Sequence, residues 1–232
     1  MVGSILMIGA GGLGCAALLA LLDSPKSSAL DQIVLVDPDQ TELSNLHRQI
    51  LYCMDDLDSA KAERAAGFMR NRRQDLHIQP VVKRLEGVEE IMALAVGCDL
   101  ILDGSDNFTT RFQANDAAIA LGTPLVHGAA IGYTGQLMTI FPGRSSCLRC
   151  LFHGPPTTEN GSSCRSEGVL GPLVGEIGWL MAIEAVKILW QEGTPLSNQL
   201  LTIDANTGRR RNVSVRRRID CLGCADVGKT IK

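Results

Sequence analysis

Short apolar runs punctuate the first half of this chain: residues 5–8 (ILMI), 33–36 (IVLV), 100–102 (LIL) and 124–127 (PLVH), with a weaker pair at 81–82. A strand with one wet face alternates apolar and polar residues. Unbroken runs of this length are the mark of strands covered on both faces. Between them lie stretches of helical character at 13–22, 59–71, 88–95 and 109–121. Strand and helix in alternation predict βαβ units and a parallel, doubly wound sheet. After residue 127 the pattern changes. Residues 135–141, 200–204 and 212–216 read as further strands, taken as antiparallel. A helix is expected over 173–191, after a loop at 152–166 rich in Pro, Thr, Gly and Ser. The expected class is therefore α/β: a Rossmann-like, doubly wound, mostly parallel sheet continued by antiparallel strands, with no internal repeat.

Composition alters this little. The chain has 232 residues, 45% of them hydrophobic, which suits one well-buried domain. A net charge of −3 gives no reason to expect nucleic acid or an anionic membrane as partner. Residues 5–22 are eighteen in a row without charge, a length at which a membrane span is suspected. No Lys or Arg precedes them, however, and four glycines interrupt them, so a strand, a turn and a helix are expected instead. One basic run, Arg209–Arg211 with Arg216–Arg218, falls in a strand-like stretch. It reads as a solvated strand edge or as a docking patch for an acidic partner.

The first strand is followed by Gly9-Ala-Gly11-Gly12-Leu-Gly14, and Asp37 ends the next strand 23 residues further on. In that setting the glycines have separate tasks. Gly9 permits the tight turn, Gly11 lets phosphate approach the backbone, and Gly14 lets helix and strand pack. The helix N-terminus favours an anion, and Asp37 can accept from ribose hydroxyls. A nicotinamide cofactor and hydride transfer would be the default reading. The residues beyond the second strand argue for a different ligand. Asn45, Arg48 and Gln49 follow it closely, and Lys61 opens a helix thirteen residues after Arg48. A triphosphate needs such neutralising charge, whereas a dinucleotide needs little of it there. Asp106, just past the strand at 100–102, is a natural magnesium ligand among those cations. Taken singly, Arg48 and Lys61 also admit the plainer reading of exposed salt-bridging residues; together with Asp106 they favour the phosphate site.

Eight cysteines are present. Two CxxC pairs, Cys147–Cys150 and Cys221–Cys224, stand about 70 residues apart and supply the four thiolates of a tetrahedral zinc site. Cys15, Cys53 and Cys98 lie in apolar or helical contexts and are expected to be buried and inert. This usage suits a reducing compartment, hence a cytoplasmic protein.

In order and spacing, GAGGLG, VDPD followed by SNLHRQ, Lys61, DGSDNFTTR, the CLRC and CLGC pairs, and Cys164 before EGVLGPLVGEIG are similar to the ThiF/MoeB/HesA family. These are prokaryotic relatives of ubiquitin-activating enzymes, and the likeness spans nearly the whole chain. It implies ATP-dependent adenylation of the C-terminal glycine of a small ubiquitin-like sulfur carrier ending in Gly-Gly, for molybdopterin or thiamine synthesis. Gly12 would approach ATP and Asp37 would hold the ribose. Asn45, Arg48, Gln49 and Lys61 would hold the phosphates, with Asp106 on magnesium; Arg48, Lys61 and Asp106 carry the catalytic role. The chain would form a single ThiF-type domain over 1–232, with a nucleotide-binding half (1–130) and a carrier-binding half with the zinc site (131–232). A homodimer and a separate sulfur donor protein are implied as well. In relatives of the ThiF type a cysteine at the place of Cys164 can link covalently to the carrier, while in MoeB-type relatives it is not needed, so Cys164 is a possible nucleophile or a bystander. Relatives also carry a segment before the first strand with an arginine for the neighbouring subunit's phosphates; this chain starts almost at the strand, which leaves a non-catalytic, ATP-binding scaffold for a ubiquitin-like protein as the alternative.

Overall fold

The computed structural model describes residues 3–152, 154 and 168–225. Eight strands form one sheet in the order β3-β2-β1-β4-β5-β6-β7-β8. The parallel part comprises β1 (Gly3–Ile8), β2 (Leu30–Val36), β3 (His77–Val81), β4 (Leu100–Asp103) and β5 (Leu125–Ile131). The antiparallel part adds β6 (Thr134–Ile140), β7 (Gln199–Asp204) and β8 (Arg209–Ser214). Helices α1 (Gly12–Leu22), α2 (Lys61–Arg72) and α6 (Gly171–Leu189) cover one face; α3 (Val88–Ala95), α4 (Phe108–Leu121) and the single turn α5 (Leu148–Leu151) cover the other. This layering explains the unbroken apolar runs. Ile5 and Met7 enter the core under α1 and α6, while Leu6 and Ile8 enter the core under α3 and α4. Every second residue thus faces a different core, and none faces water.

Several boundaries differ from expectation by a few residues, and three of them have a plain cause. The third strand is β3 at His77–Val81 rather than 81–82, because it is an edge strand with exposed His77 and Gln79, and its Pro80 is tolerated there. β5 runs to Ile131 because a tight turn at Gly132 (φ +53°) folds β6 back on it, pairing Ile131 with Thr134. β8 begins at Arg209 because its arginines pair in register with Asp204–Thr202 across the edge of the sheet. Every residue of β8 is exposed, so Arg209–Arg211 do lie on a solvated strand edge, whereas Arg216–Arg218 lie beyond β8, with Arg217 donating to the Gly143 and Cys224 carbonyls and Arg218 to Asp220.

The strand order reverses between β1 and β4, and the turns that leave those two strands meet there. A Cβ on Gly9 would come within 3.0 Å of the Gly104 carbonyl oxygen, and Gly9 itself has φ +94°. A Cβ on Gly14 would lie 2.0 Å from the Gly9 oxygen, so α1 can start against β1 only with glycine there. On the other side of α1, Gly178 lets α6 approach; a Cβ at that position would meet the Leu13 oxygen at 2.5 Å. In an open α/β sheet, ligands bind outside the carboxyl ends of the strands at such a reversal.

Candidate nucleotide site and cysteine cluster

Two adjoining clefts open at the reversal. The smaller is lined by Gly9, Gly11, Asp37, Pro38, Asp39 and the turn Gly104–Asn107, with Lys83, Arg84 and Leu85 on its far wall. The larger is lined by Gly12, Asn45, Arg48, Gln49, Lys61 and Arg111, and closed by Gly168 and Val174. Asp39, Gly104, Ser105 and Asp106 border both. The residues singled out in the sequence around the glycine turn therefore converge on one place, although they come from four separate stretches of chain.

Helix α1 starts without a side-chain cap and without an acidic residue in its first turn, so its N-terminal N–H groups are open to an anion. Gly11 has only the Gln49 amide within 4 Å of where a Cβ would stand, at 3.8 Å. A side chain there would enter the cleft without colliding with the protein. Gly12 differs: a Cβ would strike Val174 Cγ1 at 2.5 Å, so packing against α6 alone requires glycine. Arg48 is held by its own turn, donating to Asn45 Oδ1 (2.6 Å) and the Ser44 carbonyl (3.3 Å). Lys61 is 5% exposed, and its Nζ meets Asp39 Oδ2 at 3.2 Å. Gln49 Oε1 and Ser105 Oγ are buried in the cleft walls without a hydrogen-bond partner among the described residues. Orphaned polar atoms of this kind cost about 1–3 kcal/mol each, which a polar ligand would relieve.

Asp37 sits beneath the turn rather than beside an open cavity. Its Oδ2 accepts from the Ala10 N–H (2.7 Å) and its Oδ1 from the Asp39 N–H (2.8 Å). Burial pushes its carboxyl above the usual range, against those two N–H groups and the Lys61 charge. Asp37 still borders the smaller cleft, but Asp39 offers a second carboxylate that reaches both clefts. The sequence reading missed Asp39. Its signal was the Asp-Pro-Asp turn, in which the first carboxylate closes on the backbone two residues on and the second is turned outward. Two more missed residues lie under the opposite turn. Asp103 is fully buried, with His127 Nδ1 at 2.8 Å and the Ser105 N–H at 3.0 Å. Burial raises its pKa, but those two donors and the Arg111 charge win and hold the carboxyl below its ordinary range.

The four cysteines of the CxxC pairs come together on the far side of α4. Their sulfurs all lie within 4.8 Å of one another, with nearest pairs at 3.5, 3.6 and 3.9 Å. A tetrahedron with metal–sulfur bonds of about 2.3 Å has edges of about 3.8 Å. These four could hold a metal. None of them is in a disulfide, and burial together with the neighbouring thiols pushes the Cys147 thiol up, a crowding that a cation at the centre would relieve. The cluster is fastened to α4. Buried Asn115 accepts from Leu148 N at 2.9 Å, and Arg149 forks onto Asp116 at 2.6 and 2.7 Å while stacking on Phe112. Among the described residues, the lining of the two clefts includes none of these cysteines.

Of the remaining cysteines, Cys15 is buried as expected, Cys98 is partly buried and Cys53 is exposed. Cys53 was expected inside; it instead precedes a 3-10 turn at Met54–Asp56, where its thiol and N–H both meet Asp56. Cys164 and most of the 152–166 loop lie outside the described residues. Glu184 and Lys187 on α6 form an i,i+3 ion pair at 2.6 Å, with Glu184 also accepting from Thr139 and Leu196 N.

A glycine turn open to an anion at a sheet reversal, a cationic wall beyond the second strand and a four-cysteine cluster together mark a Rossmann-like α/β protein with a candidate nucleotide site and a candidate metal site. The chain belongs to the ThiF family, whose model matches residues 2–223. It is 39% identical to the SAMP-activating enzyme E1 of Haloferax volcanii over 226 residues, 97% of this chain and 81% of that protein. It is 37% identical to the sulfur carrier protein ThiS adenylyltransferase of Escherichia coli, covering 95% of this chain and 85% of that one. It is 38% identical to the adenylyltransferase and sulfurtransferase MOCS3 of Arabidopsis thaliana, but spans only 47% of that longer protein. Among solved structures, Escherichia coli MccB superposes with a TM-score of 0.82 over 97% of this chain and 67% of MccB, at 17% identity, a likeness of fold.

Proposed function

We propose that this protein adenylates the C-terminal glycine of a small ubiquitin-like sulfur carrier ending in Gly-Gly, using ATP. The observation that carries the reading is the larger cleft. There Lys61, Arg48, Asn45 and Gln49 face the turn bearing Asp106 across the open N-terminus of α1. The smaller cleft, with Asp37 and Asp39, suits the nucleoside, and the larger suits the phosphates. Asp106 is exposed and borders both, which suits a magnesium ligand. Magnesium would supply charge neutralisation at the leaving pyrophosphate. The chemistry needs no general base. A C-terminal carboxylate is ionised at neutral pH, its reference pKa being about 3.5. Its oxygen attacks the α-phosphorus, the bond to the bridging oxygen breaks, and pyrophosphate leaves with the electron pair. The site's work is to hold two anions together and steady the developing charge. In this reading residues 1–130 bind the nucleotide and residues 131–232 receive the carrier.

The relatives' names support a sulfur-carrier substrate, and the pathway would be molybdopterin or thiamine synthesis with a separate protein as sulfur donor. Cys147, Cys150, Cys221 and Cys224 would hold a structural zinc, since four thiolates leave no open position for catalysis. We further infer a homodimer in the cytoplasm; no helix among the described residues is long and apolar enough to cross a membrane. Titration calorimetry with magnesium and ATP, and separately with NAD, tests the nucleotide assignment. The reading expects a clear preference for ATP. Equal or tighter binding of NAD would overturn it.

A further inference from the structure

The turn between β4 and α4 is held with unusual care. The Ser105 peptide unit is gripped from one side by Asp103, whose Oδ1 accepts the Ser105 N–H at 3.0 Å. The Ser105 carbonyl is gripped by Arg111, whose Nε and Nη2 both donate to it at 3.2 Å. Arg111 is steadied in turn by the Phe108 ring at 5.0 Å. On the other side of Asp106, Asn107 caps α4 by accepting from the Thr110 N–H at 2.8 Å. Asp106 stands between these two anchors, exposed, and no hydrogen bond or ion pair engages its carboxylate among the described residues. The backbone on both sides of this side chain is fixed, while its oxygens are left for something else.

The anchor on the β4 side reaches into the core. Asp103 is 0% exposed and its second oxygen meets His127 Nδ1 at 2.8 Å. His127 is itself buried, on β5, in register with Asp103. An ionised carboxylate only accepts, so Nδ1 carries the proton and donates. A buried charge is costly to keep, and a turn needed only as a connector would do as well with a neutral residue. A metal ligand has a stricter need: magnesium demands near-ideal octahedral geometry, and a carboxylate that wanders loses the ion.

We propose that His127 is a positioning residue for Asp106: through Asp103 it fixes the Ser105 peptide, and so the carboxylate that the preceding reading gives to magnesium. This rests on that reading, and the test separates the two. Manganese replaces magnesium, and its affinity is measured by electron paramagnetic resonance on the full chain with a non-hydrolysable ATP analogue, beside the analogue's affinity without metal. Asp106→Ala should abolish the manganese signal of the complex. His127→Phe should weaken manganese about tenfold with metal-free nucleotide affinity unchanged. His127→Asn, whose amide can still donate to Asp103, should recover to within about threefold of wild type. Arg111→Met, which releases the same peptide while leaving Asp103 paired to His127, should weaken manganese about tenfold with metal-free nucleotide affinity changed far less; Arg111 also lines the larger cleft, so an equal fall in both affinities would overturn this inference, and the variant keeps the test valid should the phenylalanine variant not fold. Unchanged manganese affinity in Asp106→Ala would overturn the magnesium reading and this inference together. Loss in Asp106→Ala with wild-type affinity in His127→Phe, or in Arg111→Met where the former does not fold, would overturn this inference alone.

Discussion

Replacing Lys61 by Met separates the charge in the larger cleft from the packing beneath it. Lys61 opens α2, is 5% exposed, and its ammonium lies 3.2 Å from an Asp39 carboxylate that is 32% exposed. Methionine keeps most of the apolar stem and removes the ammonium. The fold should lose little: the buried ammonium no longer has to be kept out of water and partly exposed Asp39 regains hydration, so the net cost should be about 1 kcal/mol or less. For a chain of this size that is at most about 4 °C in Tm. A phosphate oxygen is affected far more. At about 4 Å from the ammonium and an effective dielectric near 20, the attraction is about 4 kcal/mol. Asp39 competes for the same charge and the phosphate must be desolvated, so about half of that should survive as net binding. About 2 kcal/mol corresponds to roughly thirtyfold. Lys61→Met should therefore lower kcat/KM for ATP in pyrophosphate exchange about thirtyfold, with Tm within a few degrees of wild type. Exchange within threefold of wild type in a normally folded variant would refute the assignment of Lys61 to the phosphates.

Two further outcomes follow from other parts of the molecule. Protein purified without added zinc should contain one zinc per chain, and Cys221→Ser should lower Tm without selectively altering ATP affinity; a metal-free protein with all four thiols freely alkylated in its native state would contradict the zinc assignment. Burial opposes ionisation of Asp56, but the Cys53 N–H and the Arg64 guanidinium prevail and hold its carboxyl below the usual range. Its contribution to stability is complete above the ordinary carboxylate pKa of about 3.9 and drains away as pH falls through the lower folded value. Asp56→Asn should therefore flatten the acid limb of Tm against pH, and an unchanged limb would show that the pair contributes nothing.

How much of this was legible in advance depended on how local each signal was. β1, β2 and β4 were visible because both of their faces are buried and the apolar run is continuous. β3 was misplaced because only one of its faces is buried, and its alternation, interrupted by Pro80, spans just five residues. The glycine turn and the CxxC pairs carry their spacing in the sequence itself. Asp39 was overlooked because Asp37 occupies the strand end where a ribose ligand is sought, and only the fold shows Asp37 turned under the Ala10 N–H. The Asp103–His127 pair joins residues 24 apart on neighbouring parallel strands, a contact that no local pattern encodes. Cys53 was expected inside because apolar neighbours suggested burial, whereas a short 3-10 turn carries it to the surface.

The central claim is that this site joins ATP to a carrier's C-terminal carboxylate, and labelled pyrophosphate tests it most directly. Reversible adenylation returns label to ATP only while the acyl-adenylate forms on the enzyme. With a Gly-Gly-ending ubiquitin-like carrier present, label should appear in ATP, and truncating the carrier's last glycine should abolish it. A protein that binds magnesium and ATP yet shows no carrier-dependent exchange, with carriers of the thiamine and molybdopterin types alike, would contradict the account.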